Sequence, residues 1–332
     1  MQLFKNIFSG ISRNLRSNKK LSTLLLIIII VSTVSAIAGT GLNFFDKKNQ
    51  TVNASDLSKK ELDSLILENK EKYGLKNDWL EKNPQDIPVS TKSAVILDYN
   101  TGELLFAQNE HDKLPPASIT KVLTAVVVLE NMKPDKLCTI SQNAADTEPY
   151  KIVMRAGEQI SVEDLLYGMM MLSANDAAVA LSECYDGGQQ SFIDKMNERV
   201  QLLGLTDSHF ITPNGLDDPE HLSSAYDMAV ITSYAVKTQP TFLEYMGRKQ
   251  DYTVGETDHN DSHYFYSLST LLKTYPGMDG AKTGFTYEAG NTYIGTAERD
   301  GRRIIIVYFG ANSTTYDAEL MLDQGFFLNP NS

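Results

Sequence analysis

Three short motifs in this sequence hold side chains that could carry acyl transfer between them: Ser118-Ile-Thr-Lys121, Ser173-Ala-Asn175 and Lys282-Thr283-Gly284. A serine hydroxyl is a weak nucleophile and needs a base beside it. Lysine can be that base only where burial and a neighbouring cation push its pKa far down. A spacing of three residues is just under one helical turn, so Lys121 falls on the same face as Ser118. Pro115-Pro116 cannot continue a helix, and an apolar run of helical length, Lys121-Val-Leu-Thr-Ala-Val-Val-Val-Leu-Glu130, follows. Ser118 is therefore expected in the first turn of a mostly buried helix, where free backbone N–H groups are at hand.

Each motif is weak by itself. Ser17-Asn18-Lys19-Lys20 also matches S-x-x-K, and Ser141-Gln142-Asn143 also matches S-x-N. The bland readings are a helix-capping serine with a surface lysine, a capping turn, and an edge strand with an exposed lysine. Lys-Thr-Gly is the rarest of the three, and its glycine would let a ligand backbone approach closely.

The surrounding elements must bring these motifs together. Ser93-Ala-Val-Ile-Leu-Asp98 reads as a strand, Tyr99-Asn-Thr-Gly102 as a turn, and 103–108 as a returning strand. Residues 140–250 read as mainly helical. Ser161 with Asp164 opens a helix through Leu172, and Asn175 or Asp176 opens the next, leaving Ser173 in the break between them. Further helices are expected at 192–203 and 223–237. Strands return at 282–286, 291–298 and 303–309, the last two joined by Asp300-Gly301, and a short helix over about 316–325 follows. Strands at both ends of a helical insert predict one antiparallel sheet gathered from both ends, with helices on its faces.

Bulk properties narrow the function. The 332 residues are 42% hydrophobic and 22% charged, ordinary globular values. The net charge of −12 argues against a nucleic-acid partner. Cys138 and Cys184 have no metal-type neighbours and read first as small core residues, with a disulfide as the alternative. His259 and His263 have i,i+4 spacing in polar, turn-like surroundings that do not read as a zinc-binding helix. No metal or other cofactor is called for. Residues 1–20 are basic without an acid, and 21–45 carry no charge. This is an export signal with its basic end inside. Ala36-Ile-Ala38 would suit a signal peptidase and yield a secreted protein. The uncharged stretch is also long enough to span a bilayer, and a retained membrane anchor is expected. The organisation is then 1–45 basic segment and anchor, 46–88 a polar linker or stalk, and 89–328 a catalytic domain outside the cytoplasm.

Taken together, the three motifs form a known signature, and the chain resembles the serine D-alanyl-D-alanine carboxypeptidases. These are the low-molecular-mass penicillin-binding proteins of peptidase family S11. The resemblance extends from about 93 to 325. It includes Ala94-Val-Ile-Leu-Asp-Tyr-Asn-Thr-Gly102, Leu172-Ser-Ala-Asn-Asp-Ala-Ala178, Phe210 with Pro213-Asn-Gly-Leu-Asp217, Ser223-Ser-Ala-Tyr-Asp-Met-Ala229, Gly280-Ala-Lys-Thr-Gly-Phe-Thr286 and Ala289-Gly290. It implies an α/β (α+β) fold of the penicillin-binding-protein and β-lactamase type, with a helical subdomain inserted between strands of one antiparallel sheet. It also implies roles: Ser118 as nucleophile, Lys121 as general base, Ser173 as proton relay and Asn175 on the substrate amide. Lys282, Thr283 and Gly284 would bind the substrate, and the Phe285 backbone N–H would complete an oxyanion hole. The implied substrate is the D-alanyl-D-alanine end of a peptidoglycan stem peptide, and β-lactams would acylate Ser118.

The chain also departs from the family. Many members carry a β-rich second domain and a C-terminal amphipathic helix, and this sequence ends at Ser332. An N-terminal anchor would replace that attachment. Many members carry a carboxylate-binding arginine between the last strand and the final helix, and 310–319 contains none. No residue stands out as the deacylating glutamate of class A β-lactamases. An endopeptidase, a weak β-lactamase and a penicillin-binding sensor or scaffold remain as alternatives.

Overall fold

A computed structural model describes residues 54–330. The basic segment and the uncharged stretch read as an anchor lie outside the described residues. Among the described residues no helix is long and apolar enough to cross a membrane.

Strand β1 (Ser93–Asp98) pairs with β2 (Leu104–Gln108), and two short ribbons lie within the insert: β3 (Leu137–Thr139) with β4 (Gln159–Ser161), and β5 (Tyr252–Val254) with β6 (His263–Phe265). Strands β7 (Met278–Thr286), β8 (Gly290–Arg299) and β9 (Arg302–Ala311) complete the main sheet. Its order is β2-β1-β9-β8-β7 and every pairing in it is antiparallel. The first strand thus lies against the last, as the distribution of strands in the sequence requires. All six residues of β1 are buried. Val95 and Leu97 join one core with the helical insert, while Ala94 and Ile96 join a second with Ala318, Met321 and Leu322 of the Thr314–Phe327 helix. A strand covered on both faces reads as a continuous apolar run, which is the pattern at β1 and β9. Asp300 (φ 52°) and Gly301 (φ 79°) both take the left-handed conformation that a two-residue hairpin turn between β8 and β9 needs.

The insert is built mainly from helices Lys121–Asn131, Val162–Met171, Asn175–Cys184, Gly188–Leu202 and Ala225–Thr238. Ser161 and Ser224 cap their helices by accepting from the Asp164 and Asp227 backbone N–H, and Ser313 does the same for the final helix at Tyr316. The two ribbons escaped the sequence reading because three-residue strands are too short to show a period of two.

Two expectations change. Cys138 on β3 and Cys184 at the end of its helix form a disulfide, not two separate core thiols. Sequence spacing says nothing about which distant loops meet, so the pairing needed the fold. The linker expected over 46–88 is folded from Ala54 onward. Helix Lys59–Tyr73 opens with a reciprocal capping box between Ser58 and Glu61, and its half-buried stripe of Leu62, Leu65 and Ile66 ends in buried Tyr73. It packs on the Gly188–Leu202 helix. There Asn69 Nδ2 donates to Leu202 O at 2.7 Å, and Tyr73 meets Tyr234 of the Ala225–Thr238 helix edge to face at 4.9 Å. The Leu75 N–H donates to the Tyr226 hydroxyl, and the Trp79 N–H to the Glu103 carboxylate. The folded unit therefore begins well before residue 89.

Candidate active site

Ser118 sits in a single 3-10 turn, Ala117–Thr120, and the α-helix begins at Lys121. The expected placement at a helix start holds, but the turn is tighter than a first α-turn. Ala117 has φ 49°, a left-handed conformation uncommon outside glycine. Such strain persists only where the surroundings impose it. They do so on three sides. Thr292 Oγ1 of β8 donates to Pro116 O at 2.9 Å. The 211–217 loop closes so tightly that a Cβ on Gly215 would lie 2.0 Å from Ala117 O. His221 Nδ1 accepts from the Ile211 and Thr212 N–H groups, so its proton sits on Nε2 and donates to Thr120 Oγ1 at 2.9 Å. Burial pushes His221 down to about 4, which keeps this bridge neutral.

Lys121 is fully buried, and its Nζ has three partners: Ser118 Oγ at 2.8 Å, Asn175 Oδ1 at 2.7 Å and Asn214 O at 2.6 Å. Burial first, and the nearby Lys282 charge second, hold its pKa well below the usual lysine value. A neutral amine has two N–H donors and one lone pair. The two carbonyl oxygens take the donors, so the lone pair is left for the Ser118 hydroxyl to donate to. That is the arrangement of a nucleophile paired with its base.

Ser173 lies in the break between Val162–Met171 and Asn175–Cys184, with φ 59°. Lys282 Nζ, on β7, donates to Ser173 Oγ at 2.8 Å and to Thr283 O at 2.7 Å. Lys282 is 1% exposed, and burial pushes it down to about 7. Asn175 is held from the other side: its Nδ2 donates to Pro149 O and its backbone N–H to Tyr150 O. The adjoining Asp176 carboxylate accepts from the Ile152, Val153 and Ala177 N–H groups, and burial raises it to about 6.

Strand β7 approaches the nucleophile turn with nothing between the backbones. A Cβ on Gly284 would lie 2.8 Å from Ser118 N and 2.3 Å from Thr292 Oγ1, so only glycine fits. Ser118, Ser173, Thr283, Gly284 and Phe285 line one groove of about 300 Å³, together with Tyr150, the Leu268–Leu271 stretch, Asn291 and Tyr293. Thr314 and Thr315 line it where the resemblance implied an arginine. Among the described residues that line this groove none is charged, because Lys121 and Lys282 lie behind the serines they contact.

All eight residues singled out in the sequence thus meet at one groove or directly behind it. The chemistry-bearing groups that the reading missed are the Asn214 carbonyl, His221 and Asp176. A backbone carbonyl has no sequence signature. His221 reads as one of five scattered histidines. The His259–His263 pair belongs elsewhere: His263 is buried against the Glu158 carboxylate at 2.9 Å, and His259 is exposed.

The profile of D-alanyl-D-alanine carboxypeptidases matches residues 80–313. The D-alanyl-D-alanine carboxypeptidase DacF of Bacillus subtilis (strain 168) is 34% identical over 237 residues, covering 70% of this chain and 60% of that protein. The chain therefore spans about three fifths of the length of that relative. Among solved structures, the D-alanyl-D-alanine carboxypeptidase from Mycobacterium tuberculosis H37Rv has a TM-score of 0.69 at 30% identity, covering 75% of this chain and 96% of that one. The Streptomyces K15 DD-transpeptidase has a TM-score of 0.68 at 28% identity, covering 74% of this chain and 100% of that one. The fold is the one these structures share. With the profile spanning most of the chain and its three motifs converging on one groove, the chain belongs to the D-alanyl-D-alanine carboxypeptidase family of serine peptidases, S11.

Proposed function

We propose that this protein is a serine DD-carboxypeptidase that removes the terminal D-alanine from peptidoglycan stem pentapeptides. One observation carries the reading: the buried Lys121 amine has two carbonyl acceptors for its N–H groups and Ser118 Oγ at 2.8 Å for its lone pair. Ser118 Oγ bonds to the carbonyl carbon between the two D-alanines while Lys121 takes the hydroxyl proton. The Ser118 and Phe285 backbone N–H groups hold the resulting oxyanion. The C–N bond then breaks, and the proton taken by Lys121 reaches the leaving amine through the Ser173 hydroxyl, which Lys282 holds in place, so Lys121 is neutral again. Asn175 bonds the substrate amide. Lys282 and Thr283 take the terminal carboxylate, and the peptide runs along β7 as an added strand. Water, deprotonated by the again neutral Lys121, then attacks the acyl-enzyme, the ester C–O bond breaks, and Lys121 returns the proton to Ser118 Oγ. β-Lactams present the same carbonyl and remain on Ser118 because the leaving group stays tethered.

The work takes place outside the cytoplasm. Residues 1–45 direct export and hold the chain at the membrane, and the Cys138–Cys184 disulfide suits an oxidising compartment. The region 89–328 is the catalytic domain, with 54–88 folded onto it. The test has two parts. A fluorescent penicillin labels the wild type, and Ser118→Ala abolishes labelling. Mass spectrometry of a pentapeptide digest shows the loss of one alanine. Transfer to an added amine would instead mark the transpeptidase outcome named for the Streptomyces structure.

A further inference from the structure

Tyr150, which lines the groove, belongs to a strap, residues 149–153, whose backbone is strained at two points. Tyr150 has φ 54° and Val153 has φ 62°, values rare for any residue but glycine and outlying for a β-branched valine. Both residues are exposed, so packing around their side chains does not impose these angles. The start of the Asn175–Cys184 helix does. The buried Asp176 carboxylate accepts from the Ile152 N–H at 3.0 Å, the Val153 N–H at 3.1 Å and the Ala177 N–H at 2.8 Å. In return, Tyr150 O accepts from the Asn175 N–H at 2.8 Å, and Pro149 O accepts from Asn175 Nδ2. These bonds leave Asn175 Oδ1 facing Lys121 Nζ at 2.7 Å. Two adjacent residues thus hold the strap by opposite groups: Asp176 takes its N–H groups and Asn175 its carbonyls.

We propose that Asp176 is a positioning residue for acylation: its carboxylate holds the strap in the form that grips Asn175, and through Asn175 it sets the Lys121 amine against Ser118. This rests on the acyl-enzyme reading of Ser118 and Lys121. Asp176 does not line the groove, so it acts on the reaction only through what it holds. Strained backbone persists where its surroundings impose it, and here the carboxylate supplies the partners for the two N–H groups beside the strained Val153. Without it, Tyr150 and Val153 relax toward ordinary angles, and the carbonyls that fix the Asn175 amide move with them. Burial raises Asp176 to about 6, against the pull of its three N–H partners and of Lys151, so near neutral pH it is still a carboxylate. Lys151 lies in the strap itself and is paired with Glu148 at 2.6 Å.

The test follows acylation of the whole protein by a fluorescent penicillin at about pH 8, where the wild-type Asp176 is ionised. Asp176→Asn keeps the shape but offers one acceptor oxygen in place of two, so a buried N–H loses its partner. Its acylation rate at saturating penicillin falls about 10–100-fold, while the half-saturating concentration changes less than about threefold. Val153→Gly is the rescue. Glycine takes φ 62° without strain, and Val153 is exposed and does not line the groove, so this variant alone stays within about twofold of wild type. Added to Asp176→Asn, it recovers about threefold to tenfold of the lost rate, because the strap then keeps its form with less help. Should Asp176→Asn not fold by itself, the double variant is read against Val153→Gly and acylates about threefold to tenfold more slowly. A wild-type rate in Asp176→Asn, a loss confined to the half-saturating concentration, or a double variant no better than Asp176→Asn overturns the positioning role. So does a double variant equal to Val153→Gly where that comparison is used. No labelling of the wild type overturns the acyl-enzyme reading itself, and the positioning role with it.

Discussion

The two sides of the groove each hide a lysine behind a serine, yet they leave the two amines in different states. On the helical side, Lys121 is fully buried and faces two carbonyl oxygens and Ser118 Oγ. On the sheet side, Lys282 is 1% exposed and faces Ser173 Oγ and Thr283 O. Burial is common to both and lowers both. The separation comes from what each amine sees: the Lys282 charge pushes Lys121 down further, while burial alone accounts for Lys282 at about 7. Near neutral pH one amine is a base and the other is still partly a cation. Under the proposed function the two similar side chains would take opposite tasks because of their neighbours, a pairing expected where acid and base roles must coexist.

The largest effect should come from removing the base. Lys121→Met should slow acylation by a fluorescent penicillin about 10²–10⁴-fold. Stability should not fall in step, because replacing a buried amine with an apolar chain of similar length is often neutral or stabilising. Acylation within tenfold of wild type would break the comparison by showing that Lys121 is not the base. On the sheet side, Lys282→Met should lower kcat/KM for a pentapeptide about 10–100-fold, with the loss mainly in KM. The pH profile sharpens the contrast. Lys282 loses its proton as pH rises through about 7, so wild-type kcat/KM should fall on that limb and the variant should be flat there. Stability moves the other way. Between about 7 and the ordinary lysine value of 10.5 the unfolded chain holds the Lys282 proton and the folded one does not. This contribution therefore rises with pH, and it is absent from Lys282→Met. The Tm advantage of the variant should be largest near pH 6.5 and shrink by pH 9.

The same two sides differ in how far the sequence exposed them. The sheet side was legible almost to the residue. Ser93–Asp98 is a strand as read, and β7, β8 and β9 extend their expected cores by one to four residues at an end. Both-face burial makes β1 and β9 continuously apolar, and the Asp300-Gly301 turn marks its own place. The helical side gave up its motif residues but not what holds them. Lys121 depends on a backbone carbonyl at Asn214, and that loop depends on the neutral His221 bridge; neither carries a pattern in one dimension. The disulfide and the docking of Lys59–Tyr73 were hidden for the same reason, since each joins segments whose meeting only the fold determines.

The smallest predicted effect probes what ties the two sides together. Asp217 belongs to the loop whose Asn214 carbonyl holds Lys121, and Thr286 ends the strand that carries Lys282; their side chains meet at 2.7 Å. The bond is exposed, and an exposed bond of this kind is worth about 0.5–1.5 kcal/mol at most. Thr286→Val should therefore leave Tm within a few degrees and lower kcat/KM for a pentapeptide only about twofold to tenfold. The variant also loses the acceptor for the Ala289 N–H, so Asp217→Ala is the cleaner partner, leaving that second bond in place. If the two sides act as one unit through this contact, the double variant should be no worse than the poorer single one. Independent losses that multiply would mean that each wall of the groove is held on its own.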